Sequence, residues 1–518
     1  MKIERTKNAT RNITTGLTLQ IYRTVVPFIM RTVMIYTLGV QYLGLNSLFT
    51  SILSVLELAE LGVGSAMVYS MYKPIAEDDT DTICALMRLY RLYYRVIGLV
   101  IAIAGCILLP FIPSLVKKDL PEGLNIYTLY LLHLSSTVLS YWLFSYKNCL
   151  LSAHQRNDIK NRIILIVDTL RYAVQCIILF VFKNYYLYVA TMLGSQALTN
   201  IVTACVVDKK YPDYHPKGKL PREQVKEINH RVADLFTAKI GSVVVNSADT
   251  IVISAFLGLT VLAVYQNYYY IINSINSLIG ILLTSCIAGI GNSLIVESKS
   301  KNFNDLCRLT FIIEWIAGFS TACFLCLYQP FMIIWVGNDL LLPYNAVICL
   351  CIYFYVYQIN RLLNTFKDAG GIWHEDRFRP LVTALTNLGL NLLMVQHIGI
   401  FGIILSTVLS MVFVGMPWLL HNLFTTMFDK HELKGYLFHL FKFTGIALAA
   451  SCLTVFACSF IHGGNWTTLF LRLIVCIIIP NSIFFLFYRK DPIFAQCVQL
   501  MDRITKNKFK LKSRLIRE

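Results

Sequence analysis

Several charged side chains of this sequence lie inside long apolar runs, where a charge is costly unless it faces a polar cavity. Arg23 and Arg31 lie deepest in the first run, and Gln20 precedes them. At about 100° per residue these three side chains fall within one arc of a helix, so one helix face is polar. Guanidinium groups on such a face suit an anionic ligand, above all a phosphate or pyrophosphate.

Other runs carry further cations and acids. Asp168 and Arg171 are three residues apart, so they either line a cavity or form an ion pair within one helix. Lys147 and Lys239 are also predicted to bind an anionic ligand, although both lie near run ends, where a lysine can instead reach the lipid headgroups. The acids that could bind a coupling ion such as a proton, or form a gate, are Glu57, Glu60, Asp168, Asp249 and Glu314.

These acids also have structural interpretations. Glu57 and Glu60 could pair with Arg23 or Arg31 and hold the first two runs together, and Asp249 could pair within its own helix. An alignment of the two halves of the chain brings Arg31 and Asp249 to nearly equivalent positions. A cation facing an acid there could form a gate that an arriving pyrophosphate opens by competition.

The composition identifies the class of protein that must position these groups. Hydrophobic residues make up 56% of the 518 residues and charged residues only 14%, which excludes an ordinary soluble enzyme and a disordered chain. The net charge of +17 lies mainly in loops, as expected for a membrane protein with basic cytoplasmic loops. We therefore predict no nucleic-acid partner.

Fourteen runs are long enough to span a bilayer as helices. They are 13–38, 44–72, 85–113, 124–151, 161–182, 185–206, 238–257, 261–295, 309–328, 343–365, 379–396, 399–425, 437–460 and 467–488. The predicted fold class is an all-α polytopic membrane protein with about 14 transmembrane helices. Lys and Arg are far more numerous in the loops that share a side with both termini, so both termini are predicted to be cytoplasmic.

A weak internal repeat predicts the domain organisation. Leu38–Leu45 resembles Leu257–Val264, and two further matches follow at nearly the same offset, which corresponds to six spans. Two six-helix lobes in a parallel pseudo-two-fold repeat are expected, with two C-terminal helices outside them. The predicted divisions are 1–206 (first lobe), 207–237 (cytoplasmic linker and interfacial helix), 238–425 (second lobe), 426–488 (spans 13 and 14) and 489–518 (basic cytoplasmic tail).

Catalytic and metal-binding signatures are missing from the sequence. The fifteen cysteines have no spacing typical of a disulfide framework or a zinc site, so they are interpreted as small apolar side chains and no metal site is predicted. A nucleotide-binding P-loop is also absent. We therefore expect a transporter and no enzyme, with no cofactor except H⁺ or Na⁺ as a coupling ion.

Three segments resemble the signatures of one family. Arg31–Leu45 resembles the first-span signature of bacterial polysaccharide repeat-unit flippases, and Asp249–Tyr265 resembles their seventh-span signature. Asn387–Asn391 with Ile398–Ser406 resembles their eleventh-to-twelfth span region. This family belongs to the multidrug/oligosaccharidyl-lipid/polysaccharide (MOP) exporter superfamily.

The resemblance implies alternating access and a specific cargo. A member of this family would move undecaprenyl-pyrophosphate-linked oligosaccharide from the inner to the outer leaflet of the bacterial plasma membrane, for O-antigen, capsule or exopolysaccharide. Its partners would be the lipid-linked oligosaccharide, membrane lipids, a polysaccharide polymerase and glycosyltransferases, and we expect a monomer. The alternatives are a lipid II flippase or a multidrug/cation antiporter of the same superfamily, and a membrane-embedded polysaccharide polymerase.

Overall fold

The chain is helical almost throughout. The computed structural model describes residues 5–60, 62–116, 119–463 and 465–504, with all their side chains except those of 5–10, 13, 234, 235, 237–242, 244–246, 288, 500, 501, 503 and 504. No strand occurs in these residues. The chain forms two compact units, Met1–Ala263 and Val264–Glu518. The predicted all-α class is confirmed.

The helices of the first unit are α1 Arg5–Thr37, α2 Val40–Leu56, α3 Val63–Ala76, α4 Thr80–Leu108, α5 Ile112–Leu115, α6 Ile126–Trp142, α7 Asn148–Ala153, α8 Asn157–Ile177, α9 Tyr185–Lys210 and α10 Arg222–Leu257. The next helix, α11 Leu259–Val296, begins in the first unit and continues into the second. The remaining helices are α12 Lys299–Val336, α13 Tyr344–Ala369, α14 Arg379–Ser410, α15 Met416–Thr426, α16 Glu432–Ser459, α17 Trp466–Tyr488 and α18 Pro492–Ile504.

Ten helical segments of the described chain are long and apolar enough to cross a membrane. One of them, Arg379–Thr426, contains two of the predicted spans, which are separated by a break in helical geometry at Ile398 and Gly399. The other predicted spans fall on α1, on α6 with α7, and on α10, which contains the shorter apolar segment Ser247–Leu257. The chain is therefore a multi-pass membrane protein.

Two of the predicted spans are broken. The second one ends its first helix at Leu56, passes through a 3₁₀ turn over Glu57–Glu60, and resumes at Val63 after Gly62. Gly62 has a φ of 91°, which favours glycine because this region crowds a Cβ. The fourth span breaks similarly after α6, where Phe144 is left-handed and a 3₁₀ turn precedes α7.

Asparagine side chains start several helices. Asn125 begins α6 by accepting a hydrogen bond from the Thr128 N–H at 3.1 Å. Asn184 does the same for α9, accepting from the Leu187 N–H at 3.1 Å. These side chains satisfy backbone donors that have no partner within the helix, so they fix where each helix begins.

Polar and apolar contacts bring α1 and α8 together as parallel helices. Asn12 Oδ1 accepts a hydrogen bond from the Asp158 N–H at 2.8 Å. Further along, the Tyr22 and Thr169 hydroxyls are 2.9 Å apart. Because the offset between partners stays nearly constant, the polar residues of the first run lie beside those of α8.

The predicted boundary between the cytoplasmic segment and the seventh span lies inside one helix. The amphipathic stretch that begins at Arg222 continues without a break to Leu257, so α10 crosses residue 237. This helix packs against α2, α3 and α5, and it belongs to the first compact unit. The predicted lobe divisions stay predictions.

The last two spanning helices, α16 and α17, pack against α12 in the second unit. Aromatic rings fill the contact, with Phe311 of α12 5.6 Å from Phe443 and 5.1 Å from Tyr488, measured between ring centroids. Phe484 lies 5.4 Å from Phe443. Edge-to-face and stacked rings of this kind pack large apolar surfaces closely and hold α16 and α17 on α12.

Candidate functional site

A cavity of about 570 Å³ lies in the first unit where the two broken spans meet. Non-helical backbone at membrane depth is tolerated where it lines a cavity, because water or a ligand can satisfy the backbone groups that the break frees. The polar side chains of its wall come from both breaks and from α3, α4, α7 and α8, and they are Glu60, Ser65, Tyr69, Tyr72, Tyr90, Tyr94, Ser145, Asn148, Ser152 and Lys160.

Two tyrosines and an acid form a hydrogen-bonded chain in this wall. The Tyr90 hydroxyl donates to the Tyr94 hydroxyl at 2.5 Å, and the Tyr94 hydroxyl donates to Glu60 Oε1 at 3.1 Å. Gly64 leaves room for these hydrogen-bonded side chains, since a Cβ there would lie 3.1 Å from Glu60 Oε1 and 3.2 Å from the Tyr90 hydroxyl oxygen. An ionised Glu60 carboxylate can only accept hydrogen bonds, whereas a protonated one could also donate one. The hydrogen bonds that link Tyr90, Tyr94 and Glu60 therefore depend on the protonation of Glu60.

A lysine lies near the same acid. The charges of Arg23 and Glu60 both act on the Lys160 ammonium group, so α1, the α2–α3 break and α8 contribute to one electrostatic cluster. Arg23 is exposed on α1. Asn148 adds a buried Oδ1 for which the described residues supply no hydrogen-bond partner. The cavity therefore offers a cation, an acid, hydroxyl groups and an available acceptor to a polar ligand.

Two further guanidinium groups meet beside α9. The charges of Arg171 and Arg31 both act on the hydroxyl of the buried Tyr188. Arg171 Nη2 is 3.1 Å from Asp168 Oδ1, and its guanidinium carbon is 4.4 Å from the Tyr172 ring centroid. Asp168 and Arg171 thus form the ion pair that their spacing allows, while Arg171 Nε is buried and has no hydrogen-bond partner among the described atoms.

The other predicted ligand-binding residues lie in different surroundings. Lys147 Nζ is 2.6 Å from both carboxylate oxygens of Asp208 on α9, and only 10% of its side chain is exposed. Gln20 is half-buried on α1, and Glu57 is half-buried in the turn after α2. The side chain of Lys239 lies outside the described residues, although its backbone belongs to α10.

The two remaining acids lie in separate units. Asp249 is buried on α10, in the same compact unit as Arg31. Glu314 lies in the second unit on α12 and is 3% exposed. Its Oε1 is buried, and no hydrogen-bond partner for it occurs in the parts of the chain described.

Four polar residues of the cavity have little distinct signal in the sequence: Tyr90, Tyr94, Lys160 and Asn148. Tyr90 and Tyr94 are four residues apart, which places them on one helix face. This spacing is the feature of the sequence that could have identified them as neighbours in a polar wall. From the sequence alone, Lys160 is interpreted as a loop charge. Only the break between α6 and α7, whose residues share the cavity wall with Lys160, shows that it faces a cavity. The breaks themselves depend on backbone conformations that composition does not reveal.

The helical fold with its polar cavity defines a multi-pass membrane protein. Residues 9–287 match the profile of the family described as polysaccharide biosynthesis protein, and the chain belongs to this family. The polysaccharide family indicated by the sequence motifs is confirmed. A search among curated proteins found no sequence match.

Solved structures show the same fold. The chain is similar to the lipid II flippase MurJ in an inward closed conformation, with a TM-score of 0.70 and 15% identity over 92% of this chain and 99% of that chain. It is also similar to a mutant of the Vibrio cholerae MATE transporter VcmN, with a TM-score of 0.55 and 14% identity over 80% and 96% of the two chains. A MOP superfamily transporter from Pyrococcus furiosus aligns with a TM-score of 0.51 and 13% identity over 83% and 96%.

Proposed function

We propose that this protein is a flippase that moves undecaprenyl-pyrophosphate-linked oligosaccharide repeat units from the inner to the outer leaflet of the bacterial plasma membrane by alternating access. The observation that carries the proposal is the cavity of about 570 Å³ formed by two broken membrane helices. A polar cavity inside a bundle of apolar helices gives a hydrophilic headgroup a place to bind, while its lipid tail stays in the bilayer. Membership of the polysaccharide biosynthesis family supports the same function.

The cavity has chemistry for both parts of such a headgroup. Lys160, with Arg23 acting on it, supplies positive charge for a phosphate, and the tyrosine and serine hydroxyls can hydrogen-bond a sugar. Arg31 and Arg171 supply two guanidinium groups that can bind a pyrophosphate through paired N–H donors. A long, flexible headgroup could contact both groups, since Arg23 and Arg31 are eight residues apart, or about 12 Å along a helix.

Glu60 links the ligand to an ion in this proposal. A pyrophosphate that binds Lys160 and Arg23 competes with the Glu60 carboxylate for the same cations. Glu60 then binds a proton or Na⁺, because the like charge of the ligand disfavours a bare carboxylate beside it. Ligand binding and ion binding thereby become coupled, which a gradient-driven flippase requires.

Glu314 is a second candidate for the coupling ion. Its unpartnered Oε1 borders a small cavity of about 20 Å³ between α12 and α16, and the Tyr488 hydroxyl beside it also lacks a hydrogen-bond partner among the described residues. The other titratable groups around it are Cys307, Tyr355, Tyr436, His439, Lys442 and Asp491. A buried acid with an unbonded oxygen suits a proton better than Na⁺, which needs several oxygen ligands at once.

A lipid II flippase is the second candidate function. The observation in its favour is the likeness to MurJ over 92% of this chain. Both cargoes carry a pyrophosphate on a polyprenyl lipid, so both fit the same cations, and only the sugar differs. A multidrug/cation antiporter fits less well, because a cationic drug would meet Lys160 and the arginines in the first unit. A polymerase fits less well, because no catalytic motif occurs in the sequence.

Binding of a defined lipid tests the proposal. Purified protein in detergent should bind undecaprenyl pyrophosphate and be stabilised by it against heat, with a much weaker effect from undecaprenyl monophosphate. Lys160→Ala and Arg31→Ala should each weaken binding about 10- to 100-fold, as expected for loss of a charged hydrogen-bond partner. Arg31→Lys should recover part of the loss, because a lysine keeps the charge without the paired donors.

Lys73→Ala is the matched control, because the Lys73 side chain is 83% exposed and lies outside the cavity wall. It should bind undecaprenyl pyrophosphate like the unchanged protein. Equal binding by the cavity variants and this control would contradict the proposal. Preference for lipid II over an undecaprenyl-pyrophosphate-linked repeat unit in proteoliposome flipping would favour the second candidate.

Proteoliposomes with an imposed pH or Na⁺ gradient test the coupling. Flipping of a labelled undecaprenyl-pyrophosphate-linked sugar should follow the gradient. Glu60→Gln and Glu314→Gln separate the two candidates, because the variant that removes the coupling site should flip independently of the gradient. If both variants keep full gradient dependence, neither acid is the coupling site.

The remaining expectations belong to this proposal. Both termini are cytoplasmic, and the protein acts as a monomer beside a polysaccharide polymerase and glycosyltransferases. Protease protection in oriented membrane vesicles tests the orientation: tags at both ends should be cleaved in inverted vesicles and protected in right-side-out ones.

A further inference from the structure

Three cysteine thiols from three helices meet in the second unit. Cys326 of α12, Cys458 of α16 and Cys476 of α17 have Sγ atoms that all lie within 4.8 Å of one another. They are 4%, 3% and 0% exposed. The sequence gives no hint of this cluster, because the three residues belong to different apolar runs and Cys326 is more than 100 positions from the other two.

Apolar side chains and a cation are among the neighbours of the three thiols. Leu327, Val455 and Val475 pack against the cluster, together with Cys323. The Arg472 guanidinium donates a hydrogen bond to the Cys326 carbonyl at 3.4 Å, so a positive charge lies beside the cluster. Thiolate is the form of cysteine that binds metals, and a bound metal ion displaces the thiol protons.

We propose that Cys326, Cys458 and Cys476 form a site for a soft metal ion, and that this ion is Cu(I). Thiolate ligands select soft ions such as Cu(I). Three sulfur atoms that surround one ion in a plane, each about 2.3 Å from it, lie about 4 Å from one another. The three Sγ atoms here all lie within 4.8 Å of one another, so their separation fits such an ion.

Charge and coordination number favour Cu(I) over Zn²⁺. Zn²⁺ takes four ligands in a structural site, and the fourth thiol nearby, that of Cys323, packs against the cluster but is not among the thiols that all lie within 4.8 Å of one another. Two thiolates and one thiol around Cu(I) carry one negative charge, which the positive charge of Arg472 balances. The bound ion would hold α16 and α17 on α12, so its role would be structural and independent of the cavity in the first unit.

Metal content of the purified protein tests this site. The full chain is purified in detergent under reducing conditions from cells grown with added copper, with added zinc, or with neither, and its metals are counted by mass spectrometry. We expect about one copper per chain from copper-grown cells. Cys476→Ser and Cys458→Ala should retain less than a tenth of that copper. Cys349→Ser is the control, because Cys349 is equally buried on α13 but outside the cluster, and it should retain copper fully.

A second measurement keeps the test independent of variant folding. The unchanged protein should lose its copper to a strong Cu(I) chelator only on partial unfolding, and the copper-free protein should melt at a lower temperature. Three results would overturn the site: no retained metal, zinc retained in preference to copper, or equal copper in the cluster and control variants. A disulfide between two of the three cysteines in the purified protein would overturn it as well.

Discussion

Gly44 of α2 lies directly against the backbone carbonyl of Leu259 at the start of α11, and a Cβ at residue 44 would overlap that carbonyl. Gly44 belongs to the motif Leu38–Leu45, and Leu259 belongs to its repeat Leu257–Val264. The two copies of the sequence repeat therefore touch each other. Since a backbone atom cannot move aside as a flexible side chain can, only glycine fits at residue 44 in this conformation.

Gly44→Ala is expected to disfavour the conformation in which α2 meets α11. In a transporter with alternating access, the variant should shift the population of states and slow transport well before it prevents insertion. The measurement is flipping in proteoliposomes, together with the reactivity of a single cysteine introduced beside the contact. The cysteine should become more reactive as the contact opens.

Gly194→Ala is the matched control for this prediction. Gly194 is an exposed glycine within α9, and no atom lies within 4 Å of a Cβ placed there. Alanine at that position should stabilise the helix by about 0.5–1 kcal/mol and leave transport unchanged. Normal flipping and unchanged cysteine reactivity in Gly44→Ala would show that the contact does not take part in the transport cycle.

The second prediction concerns the hydrogen bond between Tyr94 and Glu60. Tyr94→Phe removes the donor and keeps the ring, so it should cost about 1 kcal/mol of folding stability. It should also alter the pH dependence of flipping, because Glu60 loses a bond that its ionised form accepts. Glu60→Gln should remove that pH dependence.

Tyr127→Phe is the control for Tyr94→Phe. Tyr127 is exposed near the start of α6 and lies outside the cavity wall, so the loss of its hydroxyl should change neither stability nor flipping. Identical pH profiles for Tyr94→Phe and the unchanged protein would exclude Glu60 as the titrating group in transport.

The sequence predicted the helices well and the cavity only in part, for a physical reason. Long apolar runs must be helical in lipid, so each predicted span falls mainly on helix, with breaks in the second and fourth. Arg23 and Glu60 could be selected because a charge in such a run needs a partner or a polar cavity. The cavity also needs the left-handed Phe144 and the turn at Gly62, and these depend on packing between distant helices. No periodicity encodes them.

The thiol cluster illustrates the same limit. Cys326 and Cys476 are 150 positions apart, and only the packing of α17 on α12 brings their sulfur atoms together. Lys147 is the opposite case, in which a charge near a run end has a salt-bridge partner on α9, beyond the intervening α8. Asp208, that partner, lies at the basic end of α9, where the sequence suggests only a loop charge.

The third prediction is a pH dependence of stability from His154, which lies in the loop after α7. Its ring is buried, with Nδ1 2.8 Å from the Leu150 carbonyl oxygen and its centroid 4.5 Å from that of Tyr211. Burial lowers the pKa of His154 below its ordinary value of about 6.5, and the charge of Lys210 lowers it further, against the opposing effect of the Leu150 hydrogen bond.

The sign of the pH effect follows from this lowered pKa. The folded protein favours neutral His154, so this contribution to stability is fully present above about pH 6.5 and is lost as the pH falls through the lower folded-state value. His154→Phe keeps a ring on Tyr211 and cannot titrate, so its melting temperature should fall less between about pH 7.5 and 5. His374→Phe replaces an exposed histidine, and the melting temperature of this variant should fall as much as that of the unchanged protein. Equal slopes for all three proteins would contradict this assignment.

The last prediction tests the gate between Arg31 and Asp249. Arg31 is half-buried on α1 and Asp249 is buried on α10, and both belong to the first compact unit.

If the charges of Arg31 and Asp249 attract each other in one state of the cycle, Arg31→Asp should abolish flipping by placing like charges together. Arg31→Asp with Asp249→Arg should then restore part of the transport, because the attraction returns with its direction reversed. Arg31→Asp with Glu77→Lys has the same net charge as the double reversal, since the Glu77 side chain is 58% exposed and lies outside the cavity wall, and it should stay inactive. The readouts are flipping in proteoliposomes and the amount of inserted protein. A double reversal that inserts normally and flips no better than Arg31→Asp alone would leave Asp249 as a static acid within the first unit.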